Sequence, residues 1–381
     1  MAVSYLYFRS LRLYMSIDTI SQPSLHNTER QLTSNDWQHG QVELQCVEKW
    51  QETQDVFSYR FQGIEPVRFQ FKPGQFLTFN MEIEGKKTYR SYTISSSPSR
   101  PYSIVVTVKC IEGGRVSNHL AQSLNVGDTI YASGPDGVFN LVDIKADKYL
   151  FLSAGSGITP MFSMSRWLTD TQVGADIAFL NCAKSPEDMI FRSELDTISF
   201  NNSAFNLSYI LESGAERLPQ GLSYGEGRIN AQQLTRLVED YKHRTIFVCG
   251  PEPFMKGVES LLESLNFDMS RYHYESFGTE PSQNDARVIT ELDNTASGFM
   301  LRIGENSRVM GQGETLLEGI EAQGLPIIAA CRAGVCGACK CKVIEGETES
   351  TSEMTLTPDE IAQGYVLACS TKLKSDVLLQ L

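Results

Sequence analysis

Five of the nine cysteines stand where they could hold a metal. Cys331, Cys336 and Cys339 form a C-x4-C-x2-C run, Cys341 follows two residues on, and 29 residues separate Cys339 from Cys369. Two tetrahedral irons bridged by two sulfides need four thiolates from the protein, and the spacings of the first three cysteines are those of plant-type 2Fe-2S clusters. Gly334 and Gly337, with the small Ala333 and Ala338, allow a tight loop whose amides can point at the sulfurs. A structural zinc site is the competing reading, but such sites pair two C-x2-C knuckles and only one is present. Cys341 shares a strand face with Cys339 yet falls outside ligand reach, so the expected metal set is Cys331, Cys336, Cys339 and Cys369. Clustered cysteines in a long chain indicate thiolate ligation in a reducing, cytoplasmic setting rather than a disulfide scaffold.

Five further stretches carry groups suited to nucleotides. In Arg90-Ser91-Tyr92-Thr93, on a strand, Arg90 and Tyr92 face one side and Ser91 and Thr93 the other. An arginine fork can clamp a diphosphate, a tyrosine ring can stack on a planar cofactor, and a threonine hydroxyl can reach a ring nitrogen. The bland alternative is a barrel strand with ordinary exposed polar residues. Gly113-Gly114-Arg115-Val116-Ser117-Asn118 is a glycine turn entering a helix, where Ser117 or Asn118 could act as cap and leave amides for an anion. Gly155-Ser156-Gly157-Ile158-Thr159-Pro160 sits between the apolar run YLFLS and helical MFSMSRWL, the context a phosphate-binding turn requires, although a lone G-x-G is weak. Cys249-Gly250-Pro251 ends a strand, where ligands of parallel sheets gather; packing is the plainer reading of the cysteine. Glu275 and Phe277 follow in an aromatic stretch that either packs over a flavin or forms an edge strand.

The elements needed to position these groups are readable around them. From Gln41 a series of alternating segments with turn signals predicts a small antiparallel barrel ending near Val142. Residues 149–153, 175–183, 207–212 and 244–250 read as strands alternating with helices, MIFRSELDTI and FMKGVESLLESL among the latter, which argues a parallel sheet. After polar residues 279–285, FMLRI and SRVMG read as a hairpin, TLLEGIEAQG as a helix before the cysteine loop, and 358–364 as a short helical turn. The expected division is a loose tail over 1–38, a FAD-binding β-barrel domain over 39–143, an NAD(P)-binding α/β domain over 144–278, a linker over 279–295 and a ferredoxin-type α+β domain over 296–381. The tail's Arg9 and Arg12 interrupt its apolar run, so a signal peptide fits poorly, and Met15 is an alternative start.

Composition narrows the function classes. The 381 residues carry 33 basic and 46 acidic side chains, a formal charge of −13, which disfavours a basic nucleic-acid-binding face. No apolar stretch reaches 18 residues, so a membrane span is not expected. Oligomeric state is not legible. The ferredoxin-type segment from 296 on has 7 basic and 11 acidic residues, a weak hint that its acceptor is basic.

Taken together, the three modules over about 41–381 resemble the ferredoxin-reductase superfamily with a carboxyl-terminal plant-type ferredoxin domain, which implies a β-grasp fold for the last module. The resemblance places Arg90, Ser91, Tyr92 and Thr93 at the flavin, Gly114, Val116 and Ser117 at the pyrophosphate of FAD, with Lys109 in the cofactor-binding set. It places Gly155, Gly157, Thr159 and Pro160 at the nicotinamide nucleotide and Cys249, Gly250 and Pro251 beside the nicotinamide. Glu275 and Phe277 then close over the flavin. ITPMFSMSRWL (158–168), AACRAGVCGACKCKV (329–343) and MTLTPDEIAQGYVLACS (354–370) look like the NADH reductases that serve hybrid-cluster protein. Related reductases that serve Rieske-type demethylases or other oxygenases share most of these motifs.

A nicotinamide gives up two electrons as hydride and a 2Fe-2S centre carries one, so a flavin between them is the chemically necessary converter. The expectation is therefore an NADH oxidoreductase passing electrons through FAD and a 2Fe-2S cluster to hybrid-cluster protein, with Thr93, Cys249 and Glu275 nearest the reacting atoms. The alternatives are the reductase of an oxygenase or demethylase and, in a different class, a redox sensor. NADH is favoured over NADPH because Glu187, Asp188 and Glu194 crowd the basic Lys184 and Arg192.

Overall fold

The computed structural model describes residues 35–172, 174–277, 298–311, 313–325, 337–353 and 355–381, with residues 327, 329, 332 and 334 of the cysteine loop. The expected linker 279–295, nearly all of the expected tail, and Cys331 and Cys336 lie outside the described residues.

The first module is a sheet that closes on itself. Its elements are β1 (Asn35–Trp37), β2 (Gln41–Thr53), β3 (Val56–Gly63), β4 (Val67–Phe69), β5 (Phe76–Ile83), β6 (Lys86–Thr93), β7 (Ile104–Lys109), helix α1 (Arg115–Ser123) and β8 (Thr129–Asp136). Six strands pair in the order β6-β5-β8-β2-β3-β7, all antiparallel. The two edge strands are then joined, because Ile94 bridges Val106 and the Ser95 amide donates to Val105 O at 2.8 Å. Inward positions are apolar at every second residue, and Leu44, Phe61, Leu77, Phe79, Ile94 and Val106 are fully buried. Each such side chain contributes roughly 1.5–3 kcal/mol by burial. Residues 35–38 belong to this module rather than to a loose tail: β1 runs parallel to β4, and Trp37 is buried edge-on against Phe69.

The second module alternates β9 (Lys148–Ala154), α2 (Ile158–Thr171), β10 (Asp176–Ala183), α3 (Arg192–Asn201), β11 (Phe205–Leu211), β12 (Ser223–Glu226), α4 (Ala231–Leu237), β13 (Thr245–Cys249), α5 (Glu252–Ser264) and β14 (Tyr272–Glu275). The sheet order is β12-β11-β10-β9-β13-β14, parallel throughout. The chain winds outward from β9 to β12 and then returns to β13, so the order reverses at β9, where ligand crevices form. Apolar layers cover both faces of the sheet, one centred on Phe151, Phe179 and Phe247, the other on Leu152, Leu180 and Val248. Two expectations differ here. The helix expected from Met189 begins only at Arg192, because Met189, Ile190 and Phe191 are all buried and Phe191, at φ 57°, turns left-handed to stack on Phe162 at 4.0 Å. The short polar β12 and α4 were not legible as elements, although Asn230 caps α4 by accepting from the Gln233 amide.

The third module comprises β15 (Met300–Ile303), β16 (Asn306–Val309), α6 (Leu316–Ala322), β17 (Lys340–Glu345), β18 (Thr348–Ser350), α7 (Pro358–Ala362), β19 (Tyr365–Leu367), β20 (Thr371–Leu373) and β21 (Val377–Gln380). A mixed sheet in the order β16-β15-β21-β17-β19 grasps α6, whose Leu316, Leu317 and Ile320 pack on Leu301, Val377 and Leu379. Both short helices start with reciprocal capping boxes, Thr315 with Glu318 and Thr357 with Glu360, which compensates for their length. Among the described residues, no helix is long and apolar enough to cross a membrane.

Candidate functional site

The two described cysteines of the metal set lie together in the third module. The Cys369 amide donates to Cys339 Sγ at 3.4 Å, and the Gly334 amide donates to Cys369 Sγ at 3.1 Å. Two amides aimed at sulfur suit thiolates bearing negative charge, so the surroundings fit an iron–sulfur cluster. The loop geometry depends on glycine. Gly334 has φ +72°, and a Cβ there would lie 2.6 Å from Ser352 Cβ and 2.8 Å from Ser370 Cβ. Ser352 Oγ donates to Gly334 O at 2.7 Å, and Ser370 Oγ to Ser352 O at 3.0 Å, pinning Gly334 against the 3-10 turn Ala368–Ser370 that carries Cys369. Cys341 is buried and its thiol donates to Val366 O at 3.8 Å, across the β17–β19 pair.

In the barrel, β6 presents the Arg-Ser-Tyr-Thr stretch as the alternation requires. Ser91 Oγ is 2.9 Å from Thr78 Oγ1 on the paired strand, so it serves the sheet. Arg90 and Tyr92 are half-buried on the opposite side, with the Tyr92 ring 5.8 Å from Phe79. Thr93 is buried, and its Oγ1 has no hydrogen-bond partner among the described residues. A buried hydroxyl in that state costs about 1–3 kcal/mol, which a cofactor's ring nitrogen would relieve. The second glycine element differs from expectation in its cap. Gly114, not Ser117 or Asn118, is the N-cap of α1, with no side-chain cap. Ser117 Oγ accepts from the Ile111 amide at 3.4 Å and Asn118 Nδ2 donates to Ile111 O at 3.1 Å, so both tie the helix back to the incoming chain. A Cβ on Gly114 would stand 2.5 Å from Ser117 Oγ. Val116 and Ser117 are buried beneath the turn. The uncapped first turn of a nine-residue helix suits a phosphate.

In the α/β module, the two expected turns meet. Gly155–Gly157 form a 3-10 turn after β9, and Gly155 takes φ +54°. Thr159 Oγ1 donates to Ser156 O at 3.1 Å, bracing the turn, and Pro160 is buried in the first turn of α2. A Cβ on Gly157 would fall 2.3 Å from the Cys249 carbonyl carbon and oxygen and 2.5 Å from Gly250 N, so the turns touch through backbone. Cys249 pairs in register with Ser153 on one side and Glu275 on the other. Burial, with the Glu275 carboxylate adding, pushes the Cys249 thiol well above its ordinary value, so it remains neutral and is no nucleophile. Glu275 is buried and Phe277 packs partly against the same core.

A cavity of about 430 Å³ opens beside these turns, lined by Gly155, Cys182, Glu212, Arg228, Pro251 and Phe254 among others. Lys109 reaches it from the end of β7, with its ammonium 3.1 Å from Asp55. Lys109 therefore stands at the cavity of the second module. The Arg228–Glu212 pair at 3.4 Å, from the loops after β12 and β11, was not among the expected site residues. Asn230's capping position was the one local signal for that stretch.

Three family models match the chain in series: the oxidoreductase FAD-binding domain over 43–141, the oxidoreductase NAD-binding domain over 151–260 and the 2Fe-2S iron–sulfur cluster binding domain over 302–374. The glycine betaine monooxygenase reductase subunit of Chromohalobacter salexigens is 40% identical, covering 92% of this chain and 98% of that protein. An NADH oxidoreductase, HCR, of Escherichia coli strain K12 is 34% identical over 86% of this chain and 94% of its own length. Among solved structures, phthalate dioxygenase reductase superposes with a TM-score of 0.60 at 22% identity, covering 90% of this chain and 98% of that one, which shows a shared fold.

Proposed function

The chain belongs to the family of NAD(H)-dependent reductases that join FAD-binding, NAD-binding and 2Fe-2S domains, and from that premise we propose that it is the reductase component of an oxygenase or demethylase system. The observation that carries this reading is the near full-length identity of 40% to a monooxygenase reductase subunit. It favours the alternative drawn from the sequence over hybrid-cluster protein as acceptor.

When bound, FAD supplies the conversion of one hydride into two single electrons. The chain's part is placement. Thr93 offers its unpartnered hydroxyl to the flavin edge, Arg90 neutralises the diphosphate, and Tyr92 covers the ring. Ser91 holds the strand to Thr78, while Gly114, Val116 and Ser117 shape the α1 turn that takes the pyrophosphate. Gly155, Gly157, Thr159 and Pro160 present the start of α2 to the nicotinamide nucleotide. Cys249, Gly250 and Pro251 would support the nicotinamide, with Pro251 lining the cavity and Cys249 buried, and Lys109, which also lines the cavity, would balance phosphate charge. Glu275, beside Cys249 on the neighbouring strand, would set the polarity there, and Phe277, packed on the same core, would shield it. Cys331, Cys336, Cys339 and Cys369 hold the cluster, with the Gly334 and Cys369 amides moderating its charge.

The test is acceptor choice. The purified reductase with NADH should drive substrate-dependent oxygen uptake by the oxygenase component of a glycine betaine monooxygenase at least tenfold faster than it reduces hybrid-cluster protein. The reverse ranking would support the second reading, which rests on the 34% identity to HCR and on the three strings at 158–168, 329–343 and 354–370.

A further inference from the structure

Helix α2 connects the two candidate cofactor sites at both of its ends. At its start, Gly157 is pressed against the Cys249–Gly250 backbone. Along its barrel-facing side, Ser163 Oγ donates to Ser96 O at 2.7 Å, with both residues buried. Asp170 accepts from Ser99 Oγ and forms a two-pronged pair with Arg100, Nε at 3.2 Å and Nη2 at 3.0 Å. Ser163 and Asp170 are seven residues apart, two helical turns on one face, so together they fix both the position and the rotation of α2. Between the two anchors, Met164 meets the barrel turn at Gly74, where a Cβ would lie 2.5 Å from Met164 Cε.

The anchored barrel segment is the direct continuation of β6. From Thr93 the chain runs through Ile94, bridged to Val106, and Ser95, bonded to Val105 O, to Ser96, whose Oγ accepts from the Val105 amide at 3.0 Å. There is no slack between Thr93 and the first anchor. A rigid line thus runs from the Thr93 hydroxyl through Ser96 and Ser163 to Gly157 and Cys249. Burial pushes the Asp170 carboxyl up, but the bonds from Ser99 and Arg100 outweigh it and hold the group below its ordinary value, so it is ionised whenever the enzyme works. The pair is half in solvent, with side-chain exposures of 61% for Arg100 and 24% for Asp170, so its worth to global stability is about 0–1 kcal/mol. Its effect is geometric.

We propose that α2 is the spacer that sets the distance between flavin and nicotinamide, and that Ser163 and Asp170 are positioning residues for hydride transfer, anchoring it to the Ser96–Arg100 segment. The inference rests on the proposed placement of the flavin at Arg90–Thr93 and the nicotinamide at Gly155–Pro160. Hydride transfer moves one proton and two electrons together from the nicotinamide C4 to the flavin N5, and its rate falls steeply with misplacement, about 100-fold for 1 Å.

The test uses the holoenzyme carrying Asp170→Asn, Ser163→Ala, both together, or Asp170→Glu, with Thr93→Ala as a reference. Anaerobic stopped-flow at saturating NADH should show flavin reduction slowed about 3- to 10-fold by each single change and about 30- to 100-fold by the pair. FAD content and half-saturating NADH should stay within twofold, the deuterium effect from C4-labelled NADH should rise, and Asp170→Glu should recover most of the rate. Hydrogen exchange in the FAD-loaded double variant without NADH should accelerate over residues 94–100 and 158–171 only. A double variant within twofold of wild type overturns the proposal, as does a rate loss matched by lost FAD or by weaker NADH binding with an unchanged isotope effect. If Thr93→Ala slows reduction while the anchor variants do not, the spacer fails alone. If Thr93→Ala is also silent, the flavin placement fails and the spacer with it.

Discussion

Replacing Gly157 by alanine should separate the two nicotinamide turns. The added Cβ would begin 2.3 Å from two backbone atoms of Cys249 and 2.5 Å from Gly250 N, where ordinary contact starts at 3.4 Å. Relief needs a displacement of about 1 Å, and neither side has a side chain to rotate away, because both turns leave adjacent central strands held in register through Ser153 and Cys249. Overpacking of this kind costs roughly 1–3 kcal/mol of stability. The larger effect falls on chemistry, where 1 Å of misplacement lowers hydride transfer about 100-fold. Gly155→Ala is the internal comparison: its Cβ would meet nothing within 4 Å, but φ +54° strains any other residue, so it should cost about 1–2 kcal/mol and weaken NADH binding, with a smaller loss of rate than Gly157→Ala at saturating NADH. Anaerobic reduction of the bound flavin by NADH, beside urea unfolding, separates the two. Flavin reduction in Gly157→Ala within threefold of wild type, or an equal loss in Gly155→Ala, would refute the backbone-contact reasoning.

Other substitutions test other parts of the molecule. Cys369→Ser should abolish the visible and paramagnetic cluster signals, whereas Cys341→Ala, whose thiol bonds Val366 O, should keep full iron and acid-labile sulfide; cluster loss from Cys341→Ala would make it a ligand. Thr93→Val should act with opposite signs, raising the stability of the FAD-free chain by about 1 kcal/mol by removing an unpartnered buried hydroxyl while slowing flavin reduction; a destabilised FAD-free chain in urea unfolding would contradict this. Arg244→Met should cost about 3–5 kcal/mol in urea unfolding, because the buried Arg244 bonds Asp176 at 2.8 Å, Asp240 at 2.6 Å and Tyr149 O at 3.1 Å. A loss under 1 kcal/mol would show that Lys148, 2.9 Å from Asp240, holds the two carboxylates without it.

The modules were legible because their signals are local. Strand alternation, the glycine turns and the cysteine spacing each lie within a few residues, and strand β6 presents Arg90, Tyr92 and Thr93 as alternation requires. What the sequence hid depends on contacts between distant residues. Ser96 and Ser163 are 67 positions apart, and nothing in either neighbourhood marks them as partners. The cap of α1 was misassigned to Ser117 or Asn118, because both bond Ile111 outside the helix and a glycine cap has no side chain to announce it. Strand β12 escaped notice because only Gly225 of its four residues is buried, so it shows no apolar period. Phe191 delayed the start of an expected helix through a left-handed backbone that its aromatic type does not signal.

The electron route from nicotinamide through flavin to cluster is tested most directly by anaerobic titration of the as-purified chain with NADH, followed optically and by electron paramagnetic resonance. Two electrons for the flavin and one for the cluster require about 1.5 NADH per chain, with bleaching of the flavin and growth of a reduced 2Fe-2S signal in step. A chain that bleaches with one NADH and shows no cluster signal, or that holds zinc without iron and sulfide, contradicts the route.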